Sequence, residues 1–245
     1  MQKGINMKKC FLIIILVAFC FSYGQNEKLD LEKDILTWDK VETANFIIYY
    51  QPNTIVPDKN KFAEGHEKAF EIINKTFQSK LPKKITMLVW NSDDDARKYG
   101  VAQLGFANPE KCFVFKRANQ TVGHEITHVI SYYVSENPQR NRFVNEGIAT
   151  AFNLSRDNKL ETARKIKKEQ NYIQPISIKE AWNNPDKYPE WVYYSLAGEF
   201  IQRLIKSNGI NKFLQLAGNQ SYENAKNIYG SDLDIVIDHL EKQIN

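Results

Sequence analysis

Two histidines and a glutamate stand together in one five-residue run: His124, Glu125, Ile126, Thr127 and His128 spell HEITH. On an α-helix, positions i and i+4 lie about 40° apart on one face, so both imidazoles can reach a single ion. Zinc suits such a pair, and Glu125 beside it is placed to act as general base on a water that the metal activates. A catalytic zinc takes three protein ligands and leaves one position open. Glu146, on the next helical segment, completes a set of His124, His128 and Glu146, for one Zn2+ per chain. The five-residue pattern is short, so its surroundings have to carry the argument.

The helix that presents HEITH has an apolar stripe of Val122, Ile126, Val129, Ile130 and Tyr133, centred within about 80° at roughly 100° per residue. His124 and His128 project close to the opposite side, toward solvent or a cleft. The segment Phe143 to Leu154 repeats the arrangement, with Val144, Ile148, Ala151 and Phe152 in a stripe and Glu146 opposite. Each helix turns a ligand away from its own core contact, so the two can converge.

Upstream, Phe46 to Tyr50, Ile85 to Trp90 and Lys111 to Lys116 read as strands. A helix is expected over Asp58 to Phe77, and His66 on its apolar face reads as a buried, hydrogen-bonded core histidine. Ser92 with Asp93, Asp94 and Asp95 suits an N-cap and first helical turn. No glycine or distal glutamate follows at the spacing of a calcium loop. Gly100, Gly105 and Pro109 mark a loop, and Cys112 reads as a small buried hydrophobe in a strand.

Downstream the pattern is helical. Asp157 to Gln170 is a charged helix, Ser177 opens a capping box, and a longer helix follows Pro189 to about Ser207, stopped by Gly209. Tyr193 falls inside the stripe of that last helix and Tyr194 on its flank. Short helices capped by Ser221 and Ser231 end the chain, with His239 on the surface. The expected fold is α+β: a small mixed sheet with helices in an N-terminal lobe (25–136) that includes the HEITH helix, then a mainly helical C-terminal lobe (137–245) that carries Glu146. The HEITH helix would cross the cleft between them.

The chain has 245 residues, 42% hydrophobic and 25% charged, which suits one globular domain or two small lobes with a sizeable core. Residues 1–24 read differently. Lys8 and Lys9, an apolar run from Phe11 to Phe21, and Ser22-Tyr23-Gly24 have the layout of a cleavable secretory signal. The run, about eleven residues, is too short to cross a bilayer, so no stable membrane span is expected once it is removed. Bulky Phe19 before Cys20 argues against lipidation. The expected location is secreted, periplasmic or in the cell envelope. Lys3, Lys8 and Lys9 leave with the segment, taking 33 basic side chains to 30 against 29 acidic ones. No nucleic-acid partner is implied by that balance. Cys10 and Cys20 leave too, so Cys112 remains alone and no internal disulfide is expected.

The run from Val122 to Phe152, HEITH followed by Asn145, Glu146, Gly147, Ile148 and Ala149 (NEGIA), resembles the gluzincin metallopeptidases of the peptidase MA superfamily, above all their small secreted members. The helix YSLAGEFIQRL from Tyr194 is more loosely similar to a tyrosine-containing helix in those families. The resemblance implies a zincin-like fold, with zinc on His124, His128 and Glu146 and with Glu125 as the base that then passes its proton to the leaving amine. It implies that the strand around Phe113 is the sheet edge that pairs with an extended peptide. It also implies that Tyr194 donates a hydrogen bond to the tetrahedral oxyanion. Tyr132, Tyr133 and Tyr193 compete for that role, and Tyr194 could instead serve packing. One departure is Thr150, which stands where thermolysin-like relatives have an aspartate bracing a zinc histidine; Asn145 is a candidate to brace instead.

These readings converge on a secreted, monomeric zinc metallopeptidase acting on a peptide or protein substrate, internally or as an aminopeptidase. The alternative is a zinc- or peptide-binding module on the same scaffold with little or no turnover. A plain helical secreted protein without metal is the third reading.

Overall fold

Runs of aromatic and β-branched residues build the centre of the sheet. In the computed structural model, which describes residues 31–101 and 105–245, FIIYY forms β2 (Phe46–Tyr50) and ITMLVW forms β3 (Ile85–Trp90). β1 (Asp39–Glu42) precedes them, while β4 (Gly105–Asn108) and β5 (Phe113–Arg117) follow. The order is β1-β2-β3-β5-β4: β2, β3 and β5 run parallel, and β1 and β4 close the two ends antiparallel to their neighbours. The expected signal at 1–24, with Cys10 and Cys20, lies outside the described residues. Among the described residues no helix is long and apolar enough to cross a membrane.

Successive side chains of a strand point to opposite faces, and the two faces of this sheet meet different partners. The outer face carries Leu88 and Trp90 of β3, packed with Trp38, Tyr99 and the rings of Phe113 and Phe115. Two short helices stand on this side of the chain order, α1 (Leu31–Asp34) and α3 (Asp93–Lys98). Ser92 caps α3 as expected, its hydroxyl accepting from Asp95 N at 3.2 Å. The inner face carries Phe46, Ile48, Met87, Val89 and Val114 against α2 (Lys59–Phe77), whose buried stripe is Ala63, His66, Ala69, Phe70, Ile73 and Phe77.

From α4 (His124–Tyr132) onward the chain is helical: α5 (Arg142–Ala151), α6 (Lys159–Glu169), α7 (Ile178–Asn183), α8 (Ala197–Asn208), α9 (Ile210–Gly218), α10 (Tyr222–Tyr229) and α11 (Ser231–Ile244). One continuous apolar cluster runs from Phe46 in the sheet to Ile244 in α11, so the strands and the helices share a core. α5 lies at its middle. A Cβ on Gly147 would stand 2.8 Å from the backbone oxygen of Ala197, so the glycine lets α5 and α8 approach backbone to backbone. The fold is α+β with a small mixed sheet and a large helical share, as the sequence leads one to expect.

Four local expectations need correction. The strand around Phe113 is not the sheet edge: β5 lies between β3 and β4, and the edge is β4, in a stretch that reads as loop. β4 has only four residues, Gly105–Asn108, too few to display an alternation, and glycine and asparagine are poor strand formers. Cys112 is fully buried but precedes β5, in the left-handed region at φ 45°, its thiol 3.4 Å from the Tyr133 hydroxyl. The helix after Pro189 opens with a π turn (Val192–Leu196) before α8. Ser231 is the first residue of α11 and not its cap; Gly230, at φ 59°, holds that position. Ser177 and Ser221 do cap their helices, accepting from Glu180 N and Asn224 N.

Candidate metal centre

α4 begins at His124 itself, after Gly123, and buries Ile126, Val129 and Ile130 completely. That anchoring turns His124 and His128 toward a cleft of about 1300 Å³. On the facing helix, Asn141 caps α5 by accepting from Val144 N, and Phe143, Val144 and Ile148 sink into the core, leaving Glu146 toward α4. The donor atoms of His124, His128 and Glu146 all lie within 4.8 Å of one another, a group that could hold a metal ion. Glu146 Oε2 stands 3.2 Å from His124 Nε2 and 3.4 Å from His128 Nε2. The two rings are nearly perpendicular, with centroids 5.0 Å apart.

Burial pushes the Glu146 carboxyl up, but the charge and hydrogen bonds of His128 and His124 together outweigh it and hold Glu146 well below the usual carboxylate range. It is an anion aimed between two imidazoles. Their Nδ1 atoms remain for bracing. The Asn145 amide lies 3.0 Å from His128 Nδ1, while its Oδ1 is buried without a partner among the described residues. Turning that amide by 180° sets Oδ1 against Nδ1–H, which fixes the proton on Nδ1 and leaves the Nε2 lone pair for a metal. The residues therefore fit a bound cation. Thr150 takes no part among the described residues: its hydroxyl is buried with no partner among them, and its methyl is what a side chain on Gly198 would strike.

Glu125 points into the same cleft and makes no hydrogen bond or ion pair among the described residues. Burial raises its pKa to about 7; the positive charges of His124 and Lys116 oppose the rise and the Glu146 charge adds to it. Tyr194 stacks on His124 with centroids 5.7 Å apart and is 37% exposed. Burial, followed by the Glu146 charge, keeps its hydroxyl protonated far above neutrality. The competing tyrosines all have hydrogen-bond partners of their own, although Tyr132 and Glu110 line the same cleft. Tyr132 donates to Glu110 Oε1 at 3.2 Å, Tyr133 to Pro109 O at 3.0 Å, and Tyr193, fully buried, to Asn184 O at 2.9 Å. The wider π turn sets Tyr194 on the cleft side, which a strict 100° period places on a flank.

Two cations near the site escape a reading of the sequence. Arg140 donates through Nη2 to His128 O at 3.1 Å and to Ser131 Oγ at 3.3 Å, and its guanidinium lies 5.5 Å from the Tyr132 ring centre. Burial lowers its pKa to about 10. Lys116, on the inner face of β5, is buried and its pKa falls to about 8 for the same reason. It meets His66, which is the buried, hydrogen-bonded histidine expected: Nδ1–H donates to Phe62 O at 2.9 Å, and burial with the Lys116 charge lowers its pKa to about 3. No periodicity announces either cation, though a lysine in an otherwise apolar strand is a usable signal for the second. In comparisons with known proteins, no family model and no curated protein matches this chain.

Proposed function

We propose that this chain is an exported zinc metallopeptidase of the gluzincin type, hydrolysing peptide bonds. The observation that carries the reading is a carboxyl, Glu125, with no hydrogen bond or ion pair among the described residues, lining the same cleft as the His-His-Glu cluster and the edge strand β4. Two imidazole nitrogens and one carboxylate are the donors of catalytic zinc sites, and they leave a coordination position open. When bound, zinc supplies Lewis acidity, polarising a carbonyl and making a water more acidic. Glu125 takes the proton of the attacking water at its carboxylate and delivers it to the nitrogen of the leaving amine. The Tyr194 hydroxyl donates a hydrogen bond to the scissile carbonyl oxygen as charge develops there. An extended peptide adds to β4 by backbone hydrogen bonds, taking the role first expected of the strand at Phe113.

The test joins metal analysis to hydrolysis of a quenched-fluorescent peptide library, with and without chelator. One zinc per chain, lost in His124→Ala, and cleavage abolished by chelator are expected, with Glu125→Gln reducing kcat by about 10²–10⁴-fold. Stoichiometric zinc with no cleavage would favour the binding module, a reading that the unengaged Thr150 hydroxyl also supports. Absence of bound metal would end the peptidase and the zinc-binding module alike.

A further inference from the structure

The inner face of the sheet holds a cation with no carboxylate in ion-pair contact among the described residues. Lys116 is 1% exposed, and its three ammonium protons go to Thr121 O at 2.9 Å, His66 Nε2 at 3.2 Å and Gln120 O at 3.3 Å. All three acceptors are neutral. Lys159, as deeply buried, is instead paired with Asp157 at 2.8 Å. Taking an ammonium out of water costs several kcal/mol, so a lysine held by neutral groups alone raises the question of what offsets it.

The strand register answers it. Lys116 stands opposite Gly105 in the β4–β5 ladder, and directly opposed residues present the same face with their Cβ positions about 5 Å apart. A Cβ built on Gly105 would overlap Glu125 Oε1 and stand 3.0 Å from its carboxyl carbon. The space left by the missing side chain is thus filled by the Glu125 carboxyl, on the face that Lys116 shares, beyond ion-pair distance but near enough for its charge to act on the ammonium. Gln120 closes the third side: its Nε2 lies 3.1 Å from the same Cβ position, while its Oε1 accepts from Arg117 N at 2.8 Å.

We propose that Gly105 and Lys116 form a seat that positions Glu125, the glycine leaving room for the carboxyl and the lysine attracting it while tying the Gln120–Thr121 turn to the sheet ahead of α4. This inference rests on Glu125 being the base of the proposed reaction. Lys116 touches no substrate; it acts through Glu125 and is a positioning residue.

Gly105→Ala and Lys116→Met test it. With zinc bound, Gly105→Ala should lose about 10²-fold in kcat, the loss that about 1 Å of misplacement brings, while KM stays within about threefold and the chain keeps its metal. Lys116→Met should show the same separation of kcat from KM. A crystal structure of metal-free Gly105→Ala should find the Glu125 carboxyl displaced by about 1 Å or more. An unmoved carboxyl or an unchanged kcat in Gly105→Ala overturns the proposal, as does a loss in Lys116→Met that only follows lost metal and a lowered Tm. If the unmodified protein cleaves no peptide, the proposed function fails, and the carboxyl position in Gly105→Ala still decides whether the seat exists.

Discussion

Replacing Glu125 by Gln should stabilise the metal-free protein at neutral pH even as it removes the proposed hydrolysis. The size of the effect follows from the surroundings of the carboxyl. Burial raises its pKa from 4.5 to about 7, so over that range the folded chain keeps a proton that the unfolded chain has released. The group costs nothing below pH 4.5, becomes increasingly unfavourable as pH rises, and reaches its full cost above about 7. Moving a carboxyl from 4.5 to about 7 corresponds to about 3 kcal/mol. Glutamine has the shape of the protonated acid and does not titrate, so its advantage should grow from near zero at pH 4.5 to about 3 kcal/mol at pH 8. For a chain of this size that is a Tm gain of about 6–12 °C. Thermal unfolding of chelator-treated protein at pH 4.5, 6 and 8 measures it. A glutamine variant no more stable than the parent at pH 8, or equally favoured at both ends of the range, would refute the reasoning.

His66 works in the other direction, since its pKa falls from 6.5 to about 3. Its contribution is complete above pH 6.5 and drains as pH falls toward 3, by on the order of 5 kcal/mol, and urea titrations of His66→Gln should show that acid sensitivity removed. Gly147→Ala drives a methyl against the Ala197 backbone and should cost about 1–3 kcal/mol in urea unfolding despite the better helix propensity of alanine. Asn145→Leu removes the brace on His128 Nδ1, and chelator competition should read a loss of about 10–100-fold in metal affinity with the fold intact. Tyr194→Phe should lower kcat by about 10²-fold at unchanged KM; an unchanged kcat would leave Tyr194 a packing residue against His124.

Much of the candidate metal centre is legible in the chain because its residues are local to amphipathic helices. The two histidines of HEITH and Glu146 lie opposite apolar stripes, and burying both stripes brings the three candidate ligands face to face. Helical periodicity alone places Tyr194 on a flank, because a π turn departs from the 100° step on which such readings rest. β4 was invisible for a different reason. Its place at the edge comes from pairing with β5, a contact that no local propensity of Gly105 to Asn108 encodes. Lys116 shows the same limit: its burial depends on α2 and the Gln120–Thr121 turn coming together, contacts made across 50 residues of chain in the case of His66.

The three consecutive residues Asn145, Glu146 and Gly147 tie the centre to the rest of the fold. At about 100° per residue they point three ways. Asn145 reaches His128 Nδ1, Glu146 reaches both Nε2 atoms, and Gly147 opens toward the backbone of Ala197. Rotating α5 about its axis would disturb all three at once. The contact at Gly147 therefore sets more than a helix spacing, because α8 continues directly from the π turn that holds Tyr194 against His124. One close approach of two backbones fixes the third ligand, its neighbour's brace and the hydroxyl over the cleft relative to one another. A substitution that only widened α5 from α8 would then loosen the proposed metal binding and turnover together, without touching a single candidate ligand.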